Sequence, residues 1–243
     1  MRIAIIGYGK MGRMIVEIAI KRGHVITCRI DKDNQDDFDS EAFKSSDIAI
    51  EFTAPASAPG NLERCFEARM PVVCGSTGWT ARLEEFKNKC EDTGWSLLWS
   101  SNFSIGVNIF RAVNRYLASV MDSFPQYRPS MREVHHVHKL DHPSGTAITL
   151  AEDIIASTGR VERWDDLGQG EGLHIESVRE GEVPGIHTIR WESDVDEIVI
   201  THSAKSRAGF ALGAVMAAEW LAENPGYHTI DEMMLSIISG RCL

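Results

Sequence analysis

Residues Arg2-Ile-Ala-Ile-Ile-Gly-Tyr-Gly-Lys-Met-Gly12 decide how the first half of the chain folds. Residues 2–6, apolar from Ile3 onward, read as a short strand buried on both faces. Gly7-Tyr-Gly-Lys-Met-Gly12 follows at once and fits G-x-G-x-x-G. Residues 11–21 then set Met11, Met14, Ile15, Ile18 and Ala19 on one helical face, with Gly23 as a stop signal. Strand, glycine turn and helix in that order are the context a dinucleotide fingerprint requires. Gly7 permits the tight turn, Gly9 lets the backbone approach a pyrophosphate, and Gly12 lets the helix pack closely.

Outward from this stretch, strands at 24–30, 47–53, 71–74 and 95–99 alternate with helices at 57–70 and 80–93. Pro59 falls in the first turn of its helix, where a missing N–H costs nothing. Such alternation predicts a parallel sheet covered on both faces. The polar, acidic stretch 34–46 has no clear period and reads as a loop or short helix. Candidate cofactor contacts then collect where these strands end. They are Gly7, Tyr8, Gly9, Lys10, Met11 and Gly12, then Asp31 and Lys32, then Phe52 and Thr53. Gly75, Ser76 and Thr77 follow the fourth strand, where small residues let a ligand come close, and Ser100, Ser101, Asn102 and Phe103 follow the fifth. Asp31 suits the ribose hydroxyls of NAD, while Lys32 offers a cation for the 2′-phosphate of NADP, so both NADH and NADPH are expected as cofactors.

After Asn102 the pattern changes. A long helix at 104–121 precedes a strand at 131–137 and a helix at 144–157. The stretch 160–186, rich in glycine and charge, reads as loops around a strand at 173–179. Strands at 187–193 and 197–203 flank Asp194-Val-Asp196, which predicts a hairpin. Residues 207–222 and 230–238 are helical and are placed to return to the first domain. The fold class expected is therefore α/β. A Rossmann-type parallel-sheet domain takes 1–102 and 207–243, and an α+β domain with an antiparallel or mixed sheet takes 103–206.

Composition narrows the function classes. The formal net charge is -10, which excludes a general nucleic-acid binder but not a local anion site. With 43% hydrophobic and 25% charged residues, the chain has the make-up of a globular protein with a real core. The five cysteines are odd in number and form no C-x-x-C, which fits reduced thiols. Cys74 beside the Gly75 turn reads as a buried structural thiol. The apolar N-terminal run is too short for a signal peptide, and no stretch reaches membrane-spanning length. A cytoplasmic protein without membrane contact is expected.

The chemistry-bearing run is Glu133-Val-His-His-Val-His-Lys-Leu-Asp-His-Pro-Ser-Gly-Thr-Ala147. Histidine exchanges protons near neutral pH. Ser144, Gly145 and Thr146 open a helix, whose free N–H groups attract a carboxylate. His135 and Lys139 share strand parity and would face one pocket if the chain stays extended that far. In a strand, His135 points away from His136 and His138, so a zinc site made of all three is disfavoured and no metal is expected.

This run resembles the signature E-x-H-H-x-x-K-x-D-x-P-S-G-T-A of the 4-hydroxy-tetrahydrodipicolinate (dihydrodipicolinate) reductases. Gly75-Ser-Thr-Gly-Trp79, Ser101-Asn-Phe-Ser-Ile-Gly-Val-Asn108 and Ile200-Thr-His-Ser-Ala-Lys-Ser-Arg207 extend the resemblance over nearly the whole chain. The chain is shorter than many members of that family, and Ser76 stands where threonine is common. The resemblance implies NAD(P)H-dependent reduction of a small cyclic dicarboxylate in lysine biosynthesis by the diaminopimelate route. It implies a second domain that binds substrate and builds a homotetramer. It gives His135 and Lys139 proton-transfer roles and assigns His136, Gly145 and Thr146 to the substrate, to which the helix start adds Ser144. Two other readings stay open on the residues alone. One is a metal-dependent hydrolase using the histidines, and the other is a non-catalytic NAD-binding sensor.

Overall fold

The structure, a computed structural model, describes residues 1–166, 168 and 172–240. In chain order the elements are β1 (Arg2–Ile6), α1 (Lys10–Lys21), β2 (Val25–Ile30), α2 (Glu41–Lys44), β3 (Ile48–Glu51), α3 (Ala58–Glu67), β4 (Val72–Cys74), α4 (Leu83–Thr93) and β5 (Leu97–Trp99). Then come α5 (Ile105–Met121), β6 (Arg128–His135), α6 (Gly145–Ser157), β7 (Trp164–Asp165), β8 (Leu173–Arg179), β9 (Ile186–Glu192) and β10 (Glu197–Ser203). The chain ends in α7 (Ala208–Glu223), β11 (Tyr227–Thr229) and α8 (Ile230–Ile238). Short 3₁₀ turns at Gln35–Asp39 and Thr80–Arg82 precede α2 and α4.

Two compact units result. One is Met1–Asn108 with the segment from Ala208 onward, and the other is Ile109–Arg207. The sequence reading placed the change after Asn102. The first unit runs on to Asn108 because Phe103 is buried in its core and the Phe103 carbonyl lies directly under α7 at Gly213.

The first unit is a Rossmann-type α/β layer structure. Its six-stranded sheet has the order β11-β5-β4-β3-β1-β2 and is parallel throughout. Every residue of β3 and β4 is buried because both faces are covered. Ile3, Ile5, Ile48 and Ile50 pack with α1 and α7, while Ala4, Ile6, Ala49 and Val72 pack with α3 and α4. That is why these strands read as apolar runs rather than as alternating ones. Strand β11 was not foreseen. It pairs with β5 at the sheet edge, and its three residues are too few to show a period. The four described cysteines are free, and burial pushes the Cys74 thiol well above its usual range. Cys242 lies outside the described residues.

The second unit carries a five-stranded mixed sheet of order β10-β9-β6-β8-β7. Strand β9 runs antiparallel to both β10 and β6, whereas β8 lies parallel to β6 and β7 parallel to β8. Phe110, Ala118, Leu150 and Ile154 of α5 and α6 pack on Met131, Ile175, Ile189 and Trp191. The expected hairpin is present, closed by the Ser193 N–H donating to the Asp196 carbonyl at 2.9 Å. The expected strand 131–137 is displaced: β6 begins at Arg128 and ends at His135. The stretch 160–186 lies partly outside the described residues, at 167 and 169–171.

Candidate active site

Two sites emerge, one in each unit. In the first, the strand order reverses between β1 and β3, the place where dinucleotides bind to such sheets. A cavity of about 580 Å³ opens there, lined by Gly7, Gly9, Asp31, Lys32, Phe52, Thr53 and others. The three glycines of the turn differ in their surroundings. Gly7 has φ +93, and a Cβ there would stand 2.1 Å from the Phe52 carbonyl oxygen. A Cβ on Gly12 would stand 2.0 Å from the Gly7 carbonyl oxygen, so the helix lies hard against the turn. A Cβ on Gly9 meets nothing within 4 Å, which leaves open space at the start of α1. The Asp31 carboxylate accepts from the Tyr8 N–H at 3.2 Å and the Lys32 N–H at 2.8 Å. Open backbone at a helix start, a carboxylate ending β2 and a cavity between them fit a dinucleotide.

The remaining residues of the first site divide. Arg13 and Arg29, which the sequence reading missed, each hold a guanidinium 5.4 Å from the centre of the Tyr8 ring. Asn61 and Ser57 line the cavity too, brought there by α3. Gly75 also has a packing reason to be small. Its missing side chain makes room for the Phe52 ring, whose Cζ would lie 2.1 Å from a Cβ. Ser76 ties two strand ends together, because its hydroxyl accepts from the Thr53 N–H at 2.7 Å. Its carbonyl is held by the indole N–H groups of Trp79 and Trp99. Thr77 and Ser101 are exposed, and Ser100 and Phe103 are buried.

The second site forms around the end of β6. Glu133 and His135 are both buried, two residues apart on one face of the strand. His135 Nδ1 lies 3.0 Å from Glu133 Oε2. Sheet register supplies the rest: Glu133 stands opposite His187 on β9, and His135 stands opposite Arg179 on β8. The Arg179 guanidinium reaches Glu133 Oε1 at 3.3 Å, and the Ser144 N–H donates to the same oxygen at 3.0 Å. Burial works against the charge on Glu133, but the His135 ring 3.0 Å away and the hydrogen bond from Ser144 outweigh it and hold the carboxyl well below the usual range. His187 is pushed down to about 4, chiefly by burial and then by the nearby His135.

The parity argument for Lys139 fails beyond the strand. The extended run stops at His135, and the chain turns at Val137 and His138. Lys139 is held instead through the loop. Its N–H donates to the His136 carbonyl at 3.2 Å, and Nζ reaches Asp141 Oδ1 at 2.8 Å. The hydrogen bond from Lys139 lowers the Asp141 carboxyl, with a further contribution from the Gly145 N–H. This corner of the loop thus already accepts a carboxylate. Gly145 is exposed at the first turn of α6, and Thr146 follows it half-buried. Ser144 differs from both. It is buried, its hydroxyl accepts from the Ala147 N–H at 3.2 Å, and the same oxygen lies 3.3 Å from His187 Nε2. Its polar groups are thus engaged with Glu133, Ala147 and His187. His136 and His138 bring their rings within 5.9 Å of each other, and His138 reaches Glu182 at 2.9 Å.

Glu133, His135 and His187 offer ligand atoms within 4.8 Å of one another, a spacing that suits a divalent ion. Arg179 on the same carboxylate puts a positive charge beside that position, which favours a hydrogen-bonded hub. The sequence reading missed Glu133, Arg179 and His187 as a group. Glu133 was legible as an acid two residues before His135 on a buried strand, but the other two reach it only through sheet register.

Comparisons with known proteins identify the family. The family model for the N-terminus of dihydrodipicolinate reductase matches residues 1–103, and that for the C-terminus matches 106–234. A 4-hydroxy-tetrahydrodipicolinate reductase from Christiangramia forsetii is 42% identical over 237 residues, covering 96% of this chain and 98% of that one. One from Archaeoglobus fulgidus is 33% identical, covering 96% of this chain and 100% of the other. Among solved structures, a dipicolinate-bound dihydrodipicolinate reductase from Paenisporosarcina sp. TG-14 shares the fold. Its TM-score is 0.75 at 21% identity, over 94% of this chain and 97% of that one. With family models matched over residues 1–103 and 106–234 and relatives aligned over nearly their whole length, the chain belongs to the dihydrodipicolinate reductase family.

Proposed function

We propose that this chain catalyses the NAD(P)H-dependent reduction of 4-hydroxy-tetrahydrodipicolinate, by way of dihydrodipicolinate, to tetrahydrodipicolinate in lysine biosynthesis. The observation that carries the reading is the corner made by Lys139 and the start of α6. It already accepts the Asp141 carboxylate, beside a buried histidine anchored on a carboxylate. The names of the full-length relatives support the same reaction.

In this reading the second unit binds substrate. Lys139 Nζ and the Gly145 and Thr146 N–H groups take the carboxylates of a dianionic ring, with His136 beside them. Ser144 contributes by holding α6 in place. His135 and Lys139 exchange the proton that the reduced ring carbon requires. When bound, the nicotinamide supplies hydride. Gly7, Gly9 and the N–H groups opening α1 would hold its pyrophosphate, and Asp31 the adenosine ribose. Lys32, at the edge of the same cavity, leaves NADPH acceptable beside NADH.

The test is a coupled assay in which substrate is made afresh from pyruvate and aspartate semialdehyde, and oxidation of NADH and NADPH is followed separately. Turnover with either cofactor is expected. Lys139→Ala is expected to lower kcat more than about tenfold, or ~1.4 kcal/mol. A loss within about threefold would remove Lys139 from the mechanism. The family resemblance also implies a homotetramer. Sedimentation is expected to show a four-chain species.

A further inference from the structure

The two oxygens of Glu133 divide their partners. Oε1 takes the Ser144 N–H at 3.0 Å and the Arg179 guanidinium at 3.3 Å. Oε2 faces His135 Nδ1 at 3.0 Å and His187 Nε2 at 3.8 Å. Glu133 is wholly buried, so its charge is not diluted by water. Arg179 also donates to the Asp141 carbonyl at 2.5 Å, and Asp141 in turn holds Lys139. On the far side of the His135 ring, Nε2 looks toward Gly185, where a Cβ would stand only 3.0 Å away.

We propose that Glu133 is the positioning residue for His135. Its carboxylate keeps a proton on Nδ1, so Nε2, above Gly185, is the nitrogen that exchanges a proton with the substrate. A carboxylate beside one ring nitrogen fixes both the tautomer and the ring orientation. Through Oε1 and Arg179 the same group sets the loop that carries Lys139. His187 does not compete for the carboxylate as a cation, because burial keeps it neutral at working pH. The inference deepens the proposed function and rests on His135 being the proton-exchanging residue.

The direct test is the ring ¹⁵N spectrum of His135 in the wild-type holoenzyme, assigned with a His135→Gln variant. The neutral ring is expected as the Nδ1–H tautomer. A ring found as Nε2–H, or with Nδ1 bound to a metal, overturns the proposal whatever any variant does. In Glu133→Gln the tautomer is expected to change and kcat to fall at least about thirtyfold, with KM for NADH within about twofold of wild type. Glu133→Asp, which keeps the charge, is expected to recover at least about tenfold of that loss. Glu133→Gln holding kcat within about threefold, or keeping the Nδ1–H tautomer, overturns the proposal. Should Glu133→Gln not fold, the wild-type spectrum and the Glu133→Asp rate decide. His135→Gln separates the two readings. If it retains turnover, the role of His135 under the proposed function fails. If it is inactive while Glu133→Gln is not, only the present inference fails.

Discussion

Gly7, Gly9 and Gly12 belong to one turn, yet a methyl group added to each meets a different fate. At Gly7 and Gly12 it would lie 2.1 and 2.0 Å from a backbone oxygen, and Gly7 also has a positive φ. At Gly9 it meets nothing, and φ -77 with ψ -157 is open to any residue. Gly7→Ala and Gly12→Ala are therefore expected to destabilise the fold by about 3 kcal/mol or more, read by chemical unfolding. Gly9→Ala is expected to leave stability within about 0.5 kcal/mol but to raise KM for NADH at least about tenfold, or ~1.4 kcal/mol. A stable Gly9→Ala with unchanged KM would take the cofactor away from this turn. The turn was legible in the sequence because its whole logic is local. The Glu133 hub was not, because Arg179 and His187 sit far along the chain and meet Glu133 only through the pairing of β6 with β8 and β9. Lys139 shows the converse. The reading carried strand parity past His135, but parity has no meaning once the chain turns.

Helix α7 shows how an element can be specified by what it lets approach. Ala211, Ala214, Val215, Ala217 and Ala218 are buried on it, and Gly213 faces the Phe103 carbonyl, which a Cβ would meet at 1.7 Å. Small residues bring the helix backbone down onto the sheet. Alanine is the better helix former by about 1 kcal/mol, so propensity alone favours Gly213→Ala. The contact is with backbone rather than with a flexible side chain, and it decides the sign. Gly213→Ala is expected to lose about 2 kcal/mol or more net, read as a lowered unfolding midpoint. A stabilised variant would mean that α7 shifts freely. Most elements of the first unit were legible because buried parallel strands and amphipathic helices carry strong patterns. Strand β11 was not, since its pairing with β5 is a tertiary event with almost no local signature.

For the molecule as a whole, His187 links folding to pH. Folding lowers its pKa from 6.5 to about 4, so between those values the unfolded chain binds more protons than the folded one. Stability therefore falls as pH drops through that window, by on the order of 3 kcal/mol from this group. The Glu133 carboxylate, held low, contributes stability above its ordinary range that is lost only at still lower pH. Urea unfolding across this range is expected to show the decline, and His187→Gln to flatten it; an equal slope in the variant would assign the effect elsewhere. Chain order has its own consequence. Strand β11, which pairs with the β5 edge, and α7, which covers one face of the first sheet, are both encoded after the second unit. A nascent chain leaving the ribosome must therefore carry an open strand edge and a bare apolar face until roughly its last seventh is made. Synthesis halted at Arg207 is expected to yield a product that pellets or stays bound to chaperones, and supplying the missing helix and strand as a separate segment is expected to bring it into solution.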